Sequence, residues 1–156
     1  MPYVKIDCGI LNSTLWVDRD AREVFLTALL MAEPILLEEP TPEIATRALD
    51  HTDFVVPPGL YGKVPAASVG IISRAGIQDI EVGMAALERL ATPEPESRSP
   101  EWEGRRLVRV DGGFIVLNFE KYRQKDHTGA ARAKRYRDKK RDEGLARQAE
   151  LDEREY

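Results

Sequence analysis

The sequence predicts a mixed α+β fold carrying a polar helical appendage, and three stretches predict it. The first reads as two short helices, Ala66–Ala75 and Ile80–Ala91, joined by a tight corner. In that corner Gly76 suits the left-handed residue that closes a helix, and Asp79 is a candidate N-cap for the next. The second pairs the runs Arg105–Val110 and Phe114–Phe119 around Asp111-Gly112-Gly113, whose glycines can supply the positive φ of a primed hairpin turn. The third is a tail from Thr128 onward, rich in charge and without an apolar stripe. One helix, then helix, turn, helix and a two-stranded ribbon is the order of a winged-helix domain.

Tyr3–Ile6 alternates and predicts a short strand, and Ile10–Trp16 a helical turn with Leu11, Leu15 and Trp16 as packing surface. Asp18 reads as an N-cap, with Asp20 and Glu23 in the first turn where the helix dipole favours acids. The helix Arg19–Ala32 follows, its apolar face built from Val24, Phe25, Ala28, Leu29 and Ala32. Glu33-Pro34 ends it. Pro34–Pro65 is then an insertion of about thirty residues, a length more often functional or mobile than a plain connection. Within it Ile35–Leu37 and Phe54–Val56 suit strands, the second ended by Pro57-Pro58-Gly59. Glu43–Leu49 suits either an edge strand or a helix opened by Thr41-Pro42, and extended structure is expected.

Val69, Ile71 and Ile72 give the first helix of the pair its apolar side. Ile80, Met84, Leu87 and Leu90 form a core stripe on the second, which shows Gln78, Glu81, Ala85, Glu88 and Arg89 on its other side. Thr92–Pro100 is a stiff polar linker. Phe114–Leu117 is too continuously apolar for a free ribbon, so part of it packs on the helices, with Phe119 and Tyr122 as anchors beyond it. Thr128 can cap a helix over Gly129–Lys140 that continues toward Glu155. The expected division is a domain over residues 1–125, with its insertion at about 34–65, and a projecting helical tail over 126–156.

Of 156 residues, 42% are apolar and 32% charged, the balance of an ordinary soluble domain with a charge-rich part. A single cysteine, Cys8, excludes an internal disulfide, fits a reducing compartment and is expected at least half-buried. His51 and His127 stand apart without cysteine partners, so neither a metal site nor a cofactor is expected. No run approaches the ~18 apolar residues of a membrane span and no signal peptide opens the chain, which predicts a cytoplasmic location. With no Gly-rich phosphate loop, nucleophile elbow or metal-ligand cluster, enzymatic activity is not expected.

The net charge of −4 hides an asymmetry. Residues 1–120 carry 11 Lys and Arg against 19 Asp and Glu, residues 121–141 carry 10 against 2, and residues 142–156 carry 2 against 6. An acidic body with a basic arm suggests a polyanion partner for the arm. Its candidate contacts are Lys121, Arg123, Lys125, Arg132, Lys134, Arg135, Arg137, Lys139, Lys140 and Arg141. Arg105, Arg106 and Arg109 load the first strand of the ribbon, where they could straddle a backbone or enter a minor groove. On the second helix of the pair only Gln78 and Arg89 are suited to read a base, and Asp79, Glu81 and Glu88 would repel phosphates. The expected partner is DNA, duplex or single-stranded. The alternatives are a protein-interaction module, self-association through the arm, and a transcriptional regulator.

Several of these segments also carry a resemblance. Asp18-Arg19-Asp20-Ala21-Arg22, Ala86-Leu87-Glu88-Arg89-Leu90, Gly104-Arg105-Arg106-Leu107, Asp111-Gly112-Gly113, Asn118-Phe119-Glu120-Lys121-Tyr122-Arg123 and Ala133-Lys134-Arg135-Tyr136-Arg137 resemble phage-type replication proteins. These are replisome organisers with a DnaD-like N-terminal winged helix. The resemblance spans most of residues 3–141 and implies a winged helix that binds DNA or replication partners at a phage origin. The chain departs from that pattern in its longer Pro34–Pro65 segment, and a second domain to recruit a helicase is not expected within these residues.

Overall fold

The computed structural model describes residues 4–44, 54–97, 101–123 and 129–154, with side chains described at 136–148 of the last stretch. Met1–Gln124 and Lys125–Tyr156 form two separate compact units. The first is mixed α+β with an antiparallel sheet.

Of the predicted strand Tyr3–Ile6, Tyr3 lies outside the described residues. Val4–Ile6 has no regular structure, and the Asp7 amide donates to the Tyr122 carbonyl at 2.8 Å. Two 3-10 turns follow, Cys8–Asn12 and Thr14–Val17, capped by the Asp7 and Ser13 side chains. Ile10 and Leu15 point inward, whereas Leu11 and Cys8 are exposed, against the expectation for both.

Helix α1, Arg19–Met31, starts where Asp18 Oδ1 accepts the Ala21 amide at 3.1 Å. It buries Val24, Phe25, Ala28 and Leu29 completely. Pro34 disfavours helical backbone at Glu33, so the chain turns extended at Ala32 and enters β1, Glu33–Leu37. A small antiparallel pair follows, β2 (Thr41–Pro42) with β3 (Val55–Val56). Of the expected extended stretch Glu43–Leu49, the described residues are Glu43 and Ile44, whose amides donate to Phe54 and Arg109 carbonyls. The rest lies outside the described residues.

Strand β4, Gly59–Val64, was not foreseen, yet it is central. With β5 (Leu107–Val110) and β6 (Gly113–Val116) it completes an antiparallel sheet of order β1-β4-β6-β5. Two glycines disguise it, since glycine is depleted in strands. Gly62 has a packing reason: a Cβ there would collide with the Phe119 ring and come within 2.9 Å of the Ala32 side chain.

The pair of helices is α2, Ser68–Arg74, and α3, Ile80–Ala91. Between them Gly76 takes φ 75°, and Asp79 Oδ1 accepts the Glu81 and Val82 amides. Ile71, Ile72, Leu87 and Leu90 are buried, but Val69 and Ile80 lie in solvent rather than in the core. The hairpin strands are shorter than predicted, because Arg105 and Arg106 precede β5. Its turn is Asp111-Gly112, with positive φ on Gly112 (78°) and not on Asp111, as a type II turn requires and a primed turn does not. At Gly113 a Cβ would collide with the Val64 carbonyl.

Strand β6 is apolar throughout because both of its faces are covered. Phe114 and Val116 join the helices in one core with Phe25, Leu29, Ile71 and Leu90. Ile115 and Leu117 join a second core with Val56, Tyr61, Val108 and Val110, flanked by Ile35, Phe54 and Trp102. The described residues of the 34–65 segment are therefore part of the sheet and of the cover over its second face. Past β6, α4 (Phe119–Tyr122) buries Phe119 and Tyr122 as anchors. The other unit holds α5, Gly129–Arg154, whose expected cap Thr128 lies outside the described residues.

Candidate nucleic-acid interface

Arg106 is not a surface cation. It is 5% exposed, ion-paired with Glu94, and donates to Ser13 Oγ at 3.1 Å and Thr14 Oγ1 at 3.0 Å. Burial alone would raise the Glu94 carboxyl. The hydrogen bonds from Thr14 and Arg106, with the Arg106 charge, outweigh burial and hold it below its ordinary value. Three chain segments thus meet at one guanidinium: the N-terminal turns, the loop after α3 and the approach to β5.

Arg105 is also internal. Its Nη1 donates to the Ala91 carbonyl at 2.9 Å and stands 3.7 Å from Glu43, and its guanidinium lies 4.6 Å over the Phe54 ring. The Glu43 side chain is wholly buried, so this contact ties the 34–65 segment to the start of β5. Arg123 donates to the Leu29 and Ala32 carbonyls at the end of α1, where a cation complements the helix dipole, and stacks 5.2 Å over Phe119. Arg105, Arg106 and Arg123 were expected to meet a polyanion; each instead satisfies carbonyls or carboxylates of its own fold.

Arg89 on α3 is exposed but held by Asp18, with Nε at 2.5 Å from Oδ2 and Nη2 at 3.2 Å from Oδ1. Burial would raise the Asp18 carboxyl. The Ala21 amide and the Arg89 hydrogen bond and charge reverse that, leaving it below its ordinary value. Gln78 is exposed, and so are Asp79 and Glu81 beside it. The outer surface at the start of α3 is consequently acidic and apolar, with Val82 38% and Ile80 41% exposed.

Among the described residues, the exposed cations of the predicted interface, apart from Arg89, are Arg109 on the hairpin, Lys121 on α4 and four on α5. On the hairpin Arg109 is exposed beside a cleft of about 360 Å³ formed with Ile44, Pro65, Ala66, Asp111 and Gly112. Lys63 reaches the hairpin tip, donating to the Asp111 carbonyl at 2.7 Å. On α5, Arg137, Lys139, Lys140 and Arg141 are all exposed. Lys139 stands 3.9 Å from Glu143, and Arg141 3.9 Å from Asp138 and from Asp142, loose contacts in solvent. Arg132, Lys134 and Arg135 fall on the same helix by position, with side chains outside the described residues, as Lys125 is entirely. Lys121 is exposed with Nζ 5.3 Å from the Tyr122 ring centre.

Lys63 is the one described cation beside the hairpin that sequence reasoning passed over, because β4 itself was not recognised. Among the described residues no helix is long and apolar enough to cross a membrane. No protein-family model, no curated protein and no solved structure matches this chain.

Proposed function

We propose that the chain is a winged-helix protein that binds DNA through the basic half of α5, oriented by Arg109 on the hairpin. The fold reading is supported by the order α1, β4, α2, α3, β5, β6, with β4 paired to β6, together with the capped corner between α2 and α3. The single observation that carries the function is the run of exposed cations Arg137, Lys139, Lys140 and Arg141 on a continuous helix, in a chain whose first 120 residues are net acidic. Such a run meets phosphates without reading bases, so the affinity is strong at low salt and largely indifferent to sequence. A role in phage-type replication initiation or its regulation rests on the sequence resemblance alone.

A fluorescence-anisotropy titration with duplex and single-stranded DNA tests this. Full-length protein should bind at low salt, and the Arg137→Gln, Lys139→Gln, Lys140→Gln, Arg141→Gln variant should bind at least tenfold more weakly. Absence of binding by the unaltered chain at low salt would refute the reading. One observation favours a second reading for α2 and α3, that they bind a protein: Val69, Ile80 and Val82 are exposed beside Asp79 and Glu81, where a DNA-reading surface would need donors and cations.

A further inference from the structure

Charge reverses sign once along α5. Residues 129–141 hold seven Lys or Arg and one Asp, whereas residues 142–154 hold five Asp or Glu and two Arg. This order opposes the helix dipole on balance, since Arg132 stands in the first turn and the last turn sets Asp152 and Glu153 against the single cation Arg154. Contacts within the helix answer it weakly, for Lys139–Glu143, Arg141–Asp138 and Arg141–Asp142 all stand at 3.9 Å. A polyanion would complement the basic half and leave the acidic half unmatched. A second copy, laid antiparallel, complements both halves and also opposes the two dipoles.

The side chains supply a register. Tyr136, Lys140, Glu143 and Arg147 follow at steps of four, three and four, which places them along one side of the helix. All four are exposed, and Lys140 Nζ lies 5.4 Å from the Tyr136 ring centre. A two-fold axis between Arg141 and Asp142 carries position 140 onto 143 and position 136 onto 147.

We propose that two copies of the chain pair through antiparallel α5 helices, Lys140 of each against the partner's Glu143 and Arg147 of each over the partner's Tyr136. The contact is isologous, so each pairing occurs twice. Having few apolar groups, it is weak and salt-sensitive. It occupies Lys140, so DNA and the second copy compete for the basic half; that consequence alone rests on the DNA reading above.

Sedimentation of the full chain at low and high salt, over rising protein concentration, tests the pairing. At low salt the mass should climb from the 17.6 kDa monomer toward twice that value, and high salt should return it to the monomer. Glu143→Lys and Lys140→Glu, singly, each turn two attractive pairs repulsive and should weaken association roughly tenfold or more. The combined Lys140→Glu, Glu143→Lys chain restores the pairs with reversed sign and should regain it, helix content being followed by circular dichroism. A chain monomeric at every concentration at low salt overturns the proposal. So do single variants that associate like the unaltered chain, or a charge-swapped chain that keeps its helix yet stays monomeric. Anisotropy with duplex DNA on the same samples separates the readings. Association without DNA binding refutes the DNA reading only, and DNA binding without association refutes the pairing only.

Discussion

The arginines of this chain divide by what their neighbours offer. Arg106 is fixed by one carboxylate and two hydroxyls, and Arg105 by a carbonyl and a buried carboxylate, so both are part of the fold. Arg106→Met would leave Ser13, Thr14 and Glu94 without their shared donor. It should cost about 2–4 kcal/mol in urea unfolding, the range for breaking a largely buried charged contact. DNA affinity of the folded fraction should be unchanged, which a wing contact would not allow. Glu94 adds a pH signature. Its folded pKa lies below the ordinary 4.5, so its contribution is complete above that value and is lost as pH falls through the lower folded value. Glu94→Gln should flatten the acid limb of a stability-against-pH curve. A variant and an unaltered chain that lose stability in parallel below pH 4.5 would remove Glu94 from the account.

At the scale of elements, legibility followed the local signals. Asp18, Asp79 and Gly76 announced α1, α3 and the corner between α2 and α3, because a cap acts on amides two or three residues away. Strand β4 could not be read this way: its reason lies in Phe119, far along the chain, whose ring occupies the space that a side chain at Gly62 would need. The two-sided burial of β6 was likewise half visible. The apolar run Phe114–Leu117 announced burial, but what covers its second face is Val56 and Phe54, from a segment with no periodic pattern. The same blindness put Arg105 and Arg106 on the surface, since nothing local says that Glu43 or Glu94 will reach them. Gly62→Ala tests the central packing. Pushing Phe119 out of place should cost about 1–3 kcal/mol by calorimetry, the usual penalty for overpacking. A change smaller than the error would show that β4 and α4 have room to spare.

For the whole molecule the charge distribution fixes how binding must respond to salt. Residues 1–124 carry 13 Lys and Arg against 19 Asp and Glu, so if DNA is the partner, most of the attraction is expected from the second unit. If four to six of the α5 cations meet duplex phosphates, log affinity should fall against log salt with a slope of about −4 to −5. Neutralising Arg137 and Lys140 together should reduce that slope by about two, each contact contributing close to one. Arg109→Gln should change it by no more than about one. The salt series also discriminates between surfaces that a single affinity would confuse. A slope near zero would mean that recognition runs through the apolar and acidic surface of α2 and α3, which fits a protein partner. A slope indifferent to Arg137 and Lys140 yet reduced by Arg109→Gln would move the contact from the arm to the hairpin. The expected result, a steep slope that these two substitutions flatten, places the electrostatic work on α5 and leaves α1, the sheet and its buried arginines as the frame.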